Sequence, residues 1–82
     1  MYKVYENGVP CSVLAAKMAL KDRTWHTPAF EEKREAEIFA KLWAYPYTRE
    51  MAEANITEME IGKEYDMSMM GEGYVMMKIE KE

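Results

Sequence analysis

The hydrophobic repeat of this chain changes near Asn55, from a period of about 3.6 residues to a period of two. Before that point, the segment "EEKREAEIFAKLWA" at residues 31–44 predicts an amphipathic helix. After it, Tyr65, Met67 and Met69 alternate with Asp66 and Ser68, which indicates a strand, and residues 74–81 are predicted to return as a second strand after a turn at residues 71–73. Helices and antiparallel strands that occupy separate parts of one chain are typical of the α+β class. The sequence therefore predicts a small antiparallel sheet with a C-terminal β-hairpin, packed against one main amphipathic helix and one or two short helices.

The main helix is expected to bury one stripe of side chains and to end before Pro46. That stripe comprises Ala36, Phe39, Ala40 and Trp43, widened by Ile38, Leu42 and Tyr45. Trp43 is therefore predicted to lie in the core, whereas Glu37 should be solvated and form an i,i+4 pair with Lys41. The helix should stop at or just before Tyr45, because a residue that precedes proline avoids the helical region.

The residues before this helix are predicted to contain short elements. Residues 2–5 favour a strand, and Asn7-Gly8 is a strong turn signal. A helix is predicted from about Val13 to Lys21, with Ser12 as its N-cap. The alternative is a hairpin that returns through residues 9–13, which would require Pro10 to occupy an edge. Residues 24–30 are predicted to form a short edge strand or an extended segment.

The residues after Pro46 are predicted to form a short helix and then the hairpin. Thr48 should cap the helix, with Met51 and either Ala52 or Ala54 facing inward and Asn55 ending it. Gly71 is expected to supply a positive φ at the hairpin turn. On the returning strand, Val75, Met77 and Ile79 share one face, and Tyr74, Met76 and Lys78 share the other. Across the hairpin, Met67 and Met69 are expected to join the first face and Met70 the second. Both faces are rich in methionine or aromatic residues, so a helix or a partner should cover each one.

The composition indicates a single domain over residues 1–82 that functions without a cofactor. Cys11 and His26 are the only cysteine and the only histidine, so neither a disulfide nor a metal site is expected. A lone thiol fits a reducing compartment, and the polar opening "MYKVYENG" is no signal peptide, so a cytoplasmic location is predicted. The apolar residues, 49% of the chain, exceed what one small core needs and suggest self-association, most simply a homodimer.

The charge of the chain is concentrated in residues 50–72, which contain seven carboxylates against Lys63 alone. A field of one sign attracts basic surfaces and repels nucleic acid. Tyr45 and Tyr47 flank Pro46 at the end of the helix, where amphipathic rings commonly serve as interface anchors. The predicted partner-binding residues are Tyr45, Tyr47, Glu50, Glu53, Glu58, Glu60, Glu64, Asp66, Met70 and Tyr74.

The sequence contains no complete catalytic or metal-binding motif. Cys11 and His26 could form a thiolate–imidazolium pair, but no third residue that would orient them is evident. Met67, Met69 and Met70 have the soft thioethers that suit monovalent copper, although such sites usually occur in oxidising compartments. The carboxylates show no calcium-loop spacing, and Gly71-Glu72-Gly73 lacks the rest of a nucleotide-binding loop. A non-enzymatic protein is therefore predicted.

In style the chain resembles the small accessory proteins encoded by tailed bacteriophages. The similarity rests on the tyrosine-rich opening "YKVYENG", on a phenylalanine before a Glu/Ala-rich helix in "FEEKREAEIFA", and on the closing hairpin. The resemblance implies a protein that binds and diverts a host enzyme or defence complex. It assigns no role to any individual residue.

The leading hypothesis is thus a protein-binding module, in its sharpest form an inhibitor of a host nucleic-acid-handling or defence complex. The acidic stretch would steer the encounter with a basic surface, and the tyrosines and methionines would supply apolar contact. Three alternatives stay open. They are a self-associating structural or assembly protein, an enzyme that uses Cys11 and His26, and nucleic-acid binding through the basic N-terminal third.

Overall fold

The computed structural model describes residues 1–14 and 25–82, with the backbone alone at residues 13, 14, 25 and 26. The elements of the described residues, in chain order, are β1 (Tyr2–Glu6), β2 (Val9–Pro10), β3 (Val13–Leu14), β4 (Trp25–His26), α1 (Lys33–Ala44), α2 (Arg49–Ala54), β5 (Tyr65–Asp66) and β6 (Met76–Lys81). The predicted α+β class is confirmed.

The main sheet has four antiparallel strands in the order β2-β1-β6-β5. Its centre is the long pair β1 and β6, with Val4 opposite Ile79, so the two ends of the described chain lie side by side. Strands β3 and β4 form a separate two-stranded ribbon. The alternation of β6 predicted from the sequence is confirmed, because Met77 and Ile79 are buried and their neighbours are only partly so.

The N-terminal segment follows the alternative prediction, a hairpin. Asn7 and Gly8 both have positive φ, and Pro10 lies on the edge strand β2. The predicted helix start at Val13 is wrong, since Val13 belongs to strand β3; the rest of that prediction falls on residues 15–21, outside the described part. The hairpin brings the Cys11 N–H to the Val4 carbonyl at 2.9 Å. Val13 then pairs with His26 on β4, and this backbone pairing holds the chain extended where local helix propensity would not.

One hydrophobic core lies between α1 and the pair of strands β1 and β6. Small residues on α1 let the helix approach the sheet closely. The buried members of this core are Val4, Cys11, Ala36, Ala40, Met59, Met67, Met77 and Ile79. Three of the described methionines, Met59, Met67 and Met77, are therefore core residues.

The buried face of α1 is rotated away from the predicted stripe. Ala36 and Ala40 are buried as expected, but Glu37 is also buried and Trp43 is 38% exposed. The prediction that Trp43 lies in the core is wrong. The segment that follows α2 packs on the Glu37 side of the helix, where the Met59 N–H reaches the Glu37 carboxylate. The Trp43 ring instead lies at the rim, 5.9 Å from the ring of Phe39.

Glu37 has a structural role that the sequence pattern did not reveal. It is 7% exposed, and its Oε2 accepts a hydrogen bond from the Met59 N–H at 2.7 Å. The ion-pair partner of Glu37 is Lys33 at 3.6 Å, and not the predicted Lys41, whose ammonium lies 5.3 Å from the centre of the Tyr45 ring. The buried carboxylate thus connects α1 to the chain that leaves α2.

The second helix forms as predicted, with one difference in its orientation. The Thr48 side chain accepts a hydrogen bond from the Met51 N–H at 3.2 Å, and Asn55 ends the helix. Ala52 is buried, but Met51 is exposed, so the prediction that Met51 faces inward is wrong. The two helices are joined by Arg49, which binds Glu35 at 2.7 Å and Glu53 at 2.8 Å.

The C-terminal hairpin is confirmed, but its first strand is short. Strand β5 contains only Tyr65 and Asp66, and the described residues 56–61 contain no strand. The residues that follow Asp66 therefore belong to the turn. Gly71 in this turn has a φ of 67°, which confirms the predicted positive φ. Tyr74 and Met70 lie in this turn and not on the second face of the sheet. That face carries the half-buried side chains Lys3, Tyr5, Met76, Lys78 and Glu80.

Candidate functional site

The turn between β5 and β6, residues 67–75, is called the tip loop below, and it presents three large apolar side chains to solvent. Met69 is 79% exposed, Met70 is 82% exposed and Tyr74 is 73% exposed. No other large hydrophobic residue in the described part of the chain is as exposed as these three. Large apolar side chains gathered at one place on a surface mark contact sites more often than single exposed ones do.

The base of the tip loop is held by the carboxylate of Asp66. One carboxylate oxygen accepts hydrogen bonds from the N–H and the hydroxyl of Ser68, the former at 2.9 Å. The other oxygen accepts from the Gly73 N–H at 3.1 Å. An aspartate that bonds to the backbone two residues ahead is a recurrent way to begin a turn. Here the same carboxylate also reaches across the loop and joins its two arms.

Two further side chains complete the loop. The Ser68 hydroxyl oxygen accepts hydrogen bonds from the Tyr74 N–H at 3.0 Å and from the Val75 N–H at 3.3 Å. Asn7, in the turn of the N-terminal hairpin, donates to the Tyr74 carbonyl at 2.8 Å and accepts from the Met76 N–H at 3.0 Å. The tip loop is therefore fixed from within and from a neighbouring turn. The exposed side chains project from a backbone that is already ordered.

Asp66 should control the order of the tip loop. We expect Asp66→Ala to increase hydrogen exchange at the Ser68 and Gly73 amides by about tenfold or more, because both amides lose their acceptor. The matched control is Glu72→Ala, which removes an exposed carboxylate from the same loop and should leave these two rates unchanged. Equal exchange in both variants would contradict the role given to Asp66.

The same network predicts a pH dependence. The hydrogen bonds from Ser68 and then the one from Gly73 lower the pKa of Asp66 below its ordinary value of 3.8. The stabilisation of the loop is thus complete above that ordinary value and is lost only as the pH falls through the lower, folded-state pKa. The Gly73 amide signal in NMR should titrate with a midpoint below 3.8, and a midpoint at or above this value would contradict the network.

The two tyrosines predicted as contact residues form a stacked pair near the base of the loop. Their ring centres are 5.0 Å apart with an interplanar angle of 24°, one ring on each side of Pro46. Both rings are half-buried, and Tyr45 packs against the core. Burial raises the pKa of Tyr45, with smaller contributions from Tyr47 and from the charge of Asp66.

The predicted acidic residues all lie at the surface, but they do not act as one group. Glu53 is bound to Arg49 and Asp66 is occupied by the tip loop, so neither is a free charge for a partner. Glu50 shares α2 with Glu53. Exposed carboxylates are also found along the chain between α2 and β5 and in the tip loop, at Glu58, Glu60, Glu64 and Glu72.

A pocket of about 320 Å³ lies near the first turn of α1. Its lining residues are Lys33, Arg34, Glu37, Ile56 and Glu58. The lining carries charges of both signs, and its most buried member, Glu37, already binds Lys33 and the Met59 N–H. The lining residues include no thiol, hydroxyl or imidazole.

Cys11 is poorly suited to nucleophilic chemistry. It is 2% exposed within the core, and burial, with a smaller effect of Glu6, raises the pKa of its thiol to about 12. The thiolate that a nucleophile requires is therefore scarce at neutral pH. The side chain of His26 lies outside the described part of the structure, so the predicted pairing of the two remains a prediction.

In the described part of the chain, no three His, Cys, Asp or Glu residues are grouped so that they could hold a metal ion. Within the same residues, no helix combines the length and the apolar character needed to cross a membrane.

Sequence reasoning placed Met70, Tyr74 and Asp66 at the site but missed Met69 and Asn7. Met69 was assigned to the face of a strand, together with Met67, because the alternation continues past Asp66. The signal that could have revealed a loop is Asp66-x-Ser68 followed by two glycines, since short polar residues and glycines favour turns. Nothing local to Asn7 indicates its contact with Tyr74, which is 67 residues away in the chain.

Comparison with known proteins assigns neither a family nor a function. No family model, no curated protein and no solved structure matches this chain. The residues of the tip loop and their surroundings are thus what a functional proposal must rest on.

Proposed function

We propose that this domain is a non-enzymatic protein-binding module whose main contact is the tip loop. The observation that carries the proposal is the exposure of Met69, Met70 and Tyr74 on a backbone already ordered by Asp66, Ser68 and Asn7. Methionine and tyrosine are enriched in protein interfaces. A loop that is ordered before binding loses less conformational entropy when it docks, so more of its apolar contact contributes to affinity.

The partner that fits this surface has an apolar depression with basic side chains at its rim. The three exposed side chains would enter the depression, and methionine adapts readily to the shape it meets. Glu72 within the loop, together with Glu60 and Glu64 before β5, would face the basic rim. The net charge of −4 at pH 7 favours encounter with a positively charged protein and opposes binding to nucleic acid.

The sharper form of the proposal is an inhibitor of a host nucleic-acid-handling or defence complex that acts in the cytoplasm. The support for it is the concentration of carboxylates in residues 50–72, which would imitate phosphate charge on a surface built to bind nucleic acid. The resemblance to accessory proteins of tailed bacteriophages points the same way.

The second candidate is self-association, with a second copy of the chain as the partner and a homodimer as the product. The same exposed side chains favour it, because an apolar loop can pack against its symmetry-related copy. The two candidates differ in how their binding depends on salt. A dimer held by apolar contact should persist at 1 M salt, whereas docking of carboxylates on a basic partner should weaken as charges are screened.

The decisive test compares two triple variants in affinity capture from extracts of the source cells. The tip variant combines Met69→Ser, Met70→Ser and Tyr74→Ser, and the control variant combines Val9→Ser, Met51→Ser and Ile61→Ser at exposed apolar positions elsewhere. A partner held by the tip loop should bind the tip variant at least about tenfold more weakly, since interface anchors each contribute 1 kcal/mol or more. It should bind the control variant as it binds the unaltered protein.

Three results would contradict the proposal. They are capture that survives the tip variant, capture lost only in the control variant, and a purified protein that turns over a substrate. Sedimentation of both triple variants at low and high salt separates the two candidates, because a dimer formed by the tip loop would dissociate in the tip variant without any partner.

A further inference from the structure

The methionines in the described part of the chain differ sharply in exposure. Met59, Met67 and Met77 are buried in the core, and Met76 is half-buried. Met1 and Met51 are about half exposed, whereas Met69 and Met70 are the most exposed large hydrophobic residues described. Among the described methionines, an oxidant in solution would therefore reach the two in the tip loop first.

Oxidation of a thioether changes its polarity with little change in its length. Hydrogen peroxide transfers one oxygen atom to the sulfur, so that a sulfur–oxygen bond forms as the oxygen–oxygen bond of the peroxide breaks. The sulfur is oxidised by two electrons, the peroxide is reduced and water is released. The resulting sulfoxide is polar, and methionine sulfoxide reductases return it to the thioether.

We propose that Met69 and Met70 are a peroxide-sensitive modification site, whose oxidation to sulfoxides weakens the apolar contact of the tip loop and leaves the fold intact. The second half of this proposal, the weakened contact, rests on the proposed function; the first half, the modification site, does not. The fold is preserved because the loop is held by Asp66, Ser68 and Asn7, whereas the side chains of Met69 and Met70 are exposed and lie outside the core. The contact is weakened because two of the three exposed anchors become polar.

The first half is tested without any partner. The protein is exposed to increasing hydrogen peroxide, quenched and digested, and each methionine is followed by the mass of its peptide. Met69 and Met70 should oxidise at least about tenfold faster than the three core methionines, because oxidation follows access to the sulfur. Oxidation of Met59, Met67 or Met77 at the same rate as the loop residues would overturn the proposal, as would loss of the circular dichroism of the fold at the first oxidation step.

The second half is tested with a phenyl-substituted chromatography resin as a defined apolar surface. Treatment with peroxide should shorten the retention of the unaltered protein, and sulfoxide reductase should restore it. In the variant with Met69→Leu and Met70→Leu the apolar area is kept and both exposed sulfur atoms of the loop are absent, so peroxide should shorten its retention much less than that of the unaltered protein. The matched control, Met51→Leu, should lose retention on peroxide treatment as the unaltered protein does.

Two results on the resin would overturn the second half. One is a loss of retention after peroxide treatment that is as large in the Met69→Leu and Met70→Leu variant as in the unaltered protein. The other is unchanged retention of a protein that mass measurement shows to be oxidised at both Met69 and Met70. Neither result depends on finding a cellular partner. Failure of the capture experiment would therefore reject the proposed function and still leave the modification site to be decided by the mass measurements.

Discussion

Met77→Ala is expected to lower the free energy of unfolding by about 2–5 kcal/mol, as for other large core residues cut to alanine. Met77 is fully buried at the centre of the sheet, where it lies opposite Glu6 on β1 and Tyr65 on β5. Domains of this kind are stable by about 5–15 kcal/mol in all, so the variant would lose a large share of its stability. Urea unfolding followed by circular dichroism measures the change.

The matched control for this prediction is Met69→Ala. The residue type and the substitution are the same, but Met69 lies in the exposed tip loop, so the change should stay within about 0.5 kcal/mol. Comparable losses in the two variants would mean that the two groups of methionines are not distinguished by burial, and the assignment of Met69 to a contact surface would fail with it.

The second large effect is expected at Glu37. Glu37→Leu removes the acceptor of the Met59 N–H and leaves this buried donor without a partner, which should cost about 1–3 kcal/mol. It also leaves the ammonium of Lys33 without its carboxylate. Urea unfolding measures the loss, and hydrogen exchange at the Met59 amide should increase because its hydrogen bond is gone.

Two controls separate this interpretation from a general effect of charge. Glu37→Gln keeps an acceptor oxygen of the same shape and should lose less than about 1 kcal/mol. Glu58→Leu removes a carboxylate from the wall of the same pocket, but Glu58 is exposed, and the change should be within about 0.5 kcal/mol. If Glu37→Gln were as unstable as Glu37→Leu, the hydrogen bond to Met59 would not be the reason.

These two residues also show why a short domain without disulfides can present an apolar loop. Met77 and Glu37 hold the helix, the sheet and the segment after α2 together. Met67 and Val75 anchor the two ends of the tip loop on the core, whereas Met69, Met70 and Tyr74 are exposed and have no part in it. The exposed side chains of the tip loop can therefore be changed by mutation or oxidation with little effect on the stability of the fold. The proposed binding function can thus be tested without unfolding the domain.

By itself the sequence determined the class of the fold, the bounds of the main helix and the existence of the C-terminal hairpin. Each depends on local physics: the 3.6-residue stripe of α1, the conformational restriction that Pro46 places on Tyr45, and the positive φ that Gly71 accepts. The capped start of α2 at Thr48 is local in the same sense.

Only the tertiary structure decided which face of α1 is buried, where the strand of the hairpin ends and which methionines meet solvent. The reason is that these outcomes depend on contacts between residues far apart in the chain. Glu37 is buried where it accepts a hydrogen bond from the Met59 N–H, and Val13 is extended because it pairs with His26 on β4. Met69 is exposed because Asp66 and Asn7 turn the alternating segment into a loop, and no period in the sequence records those bonds.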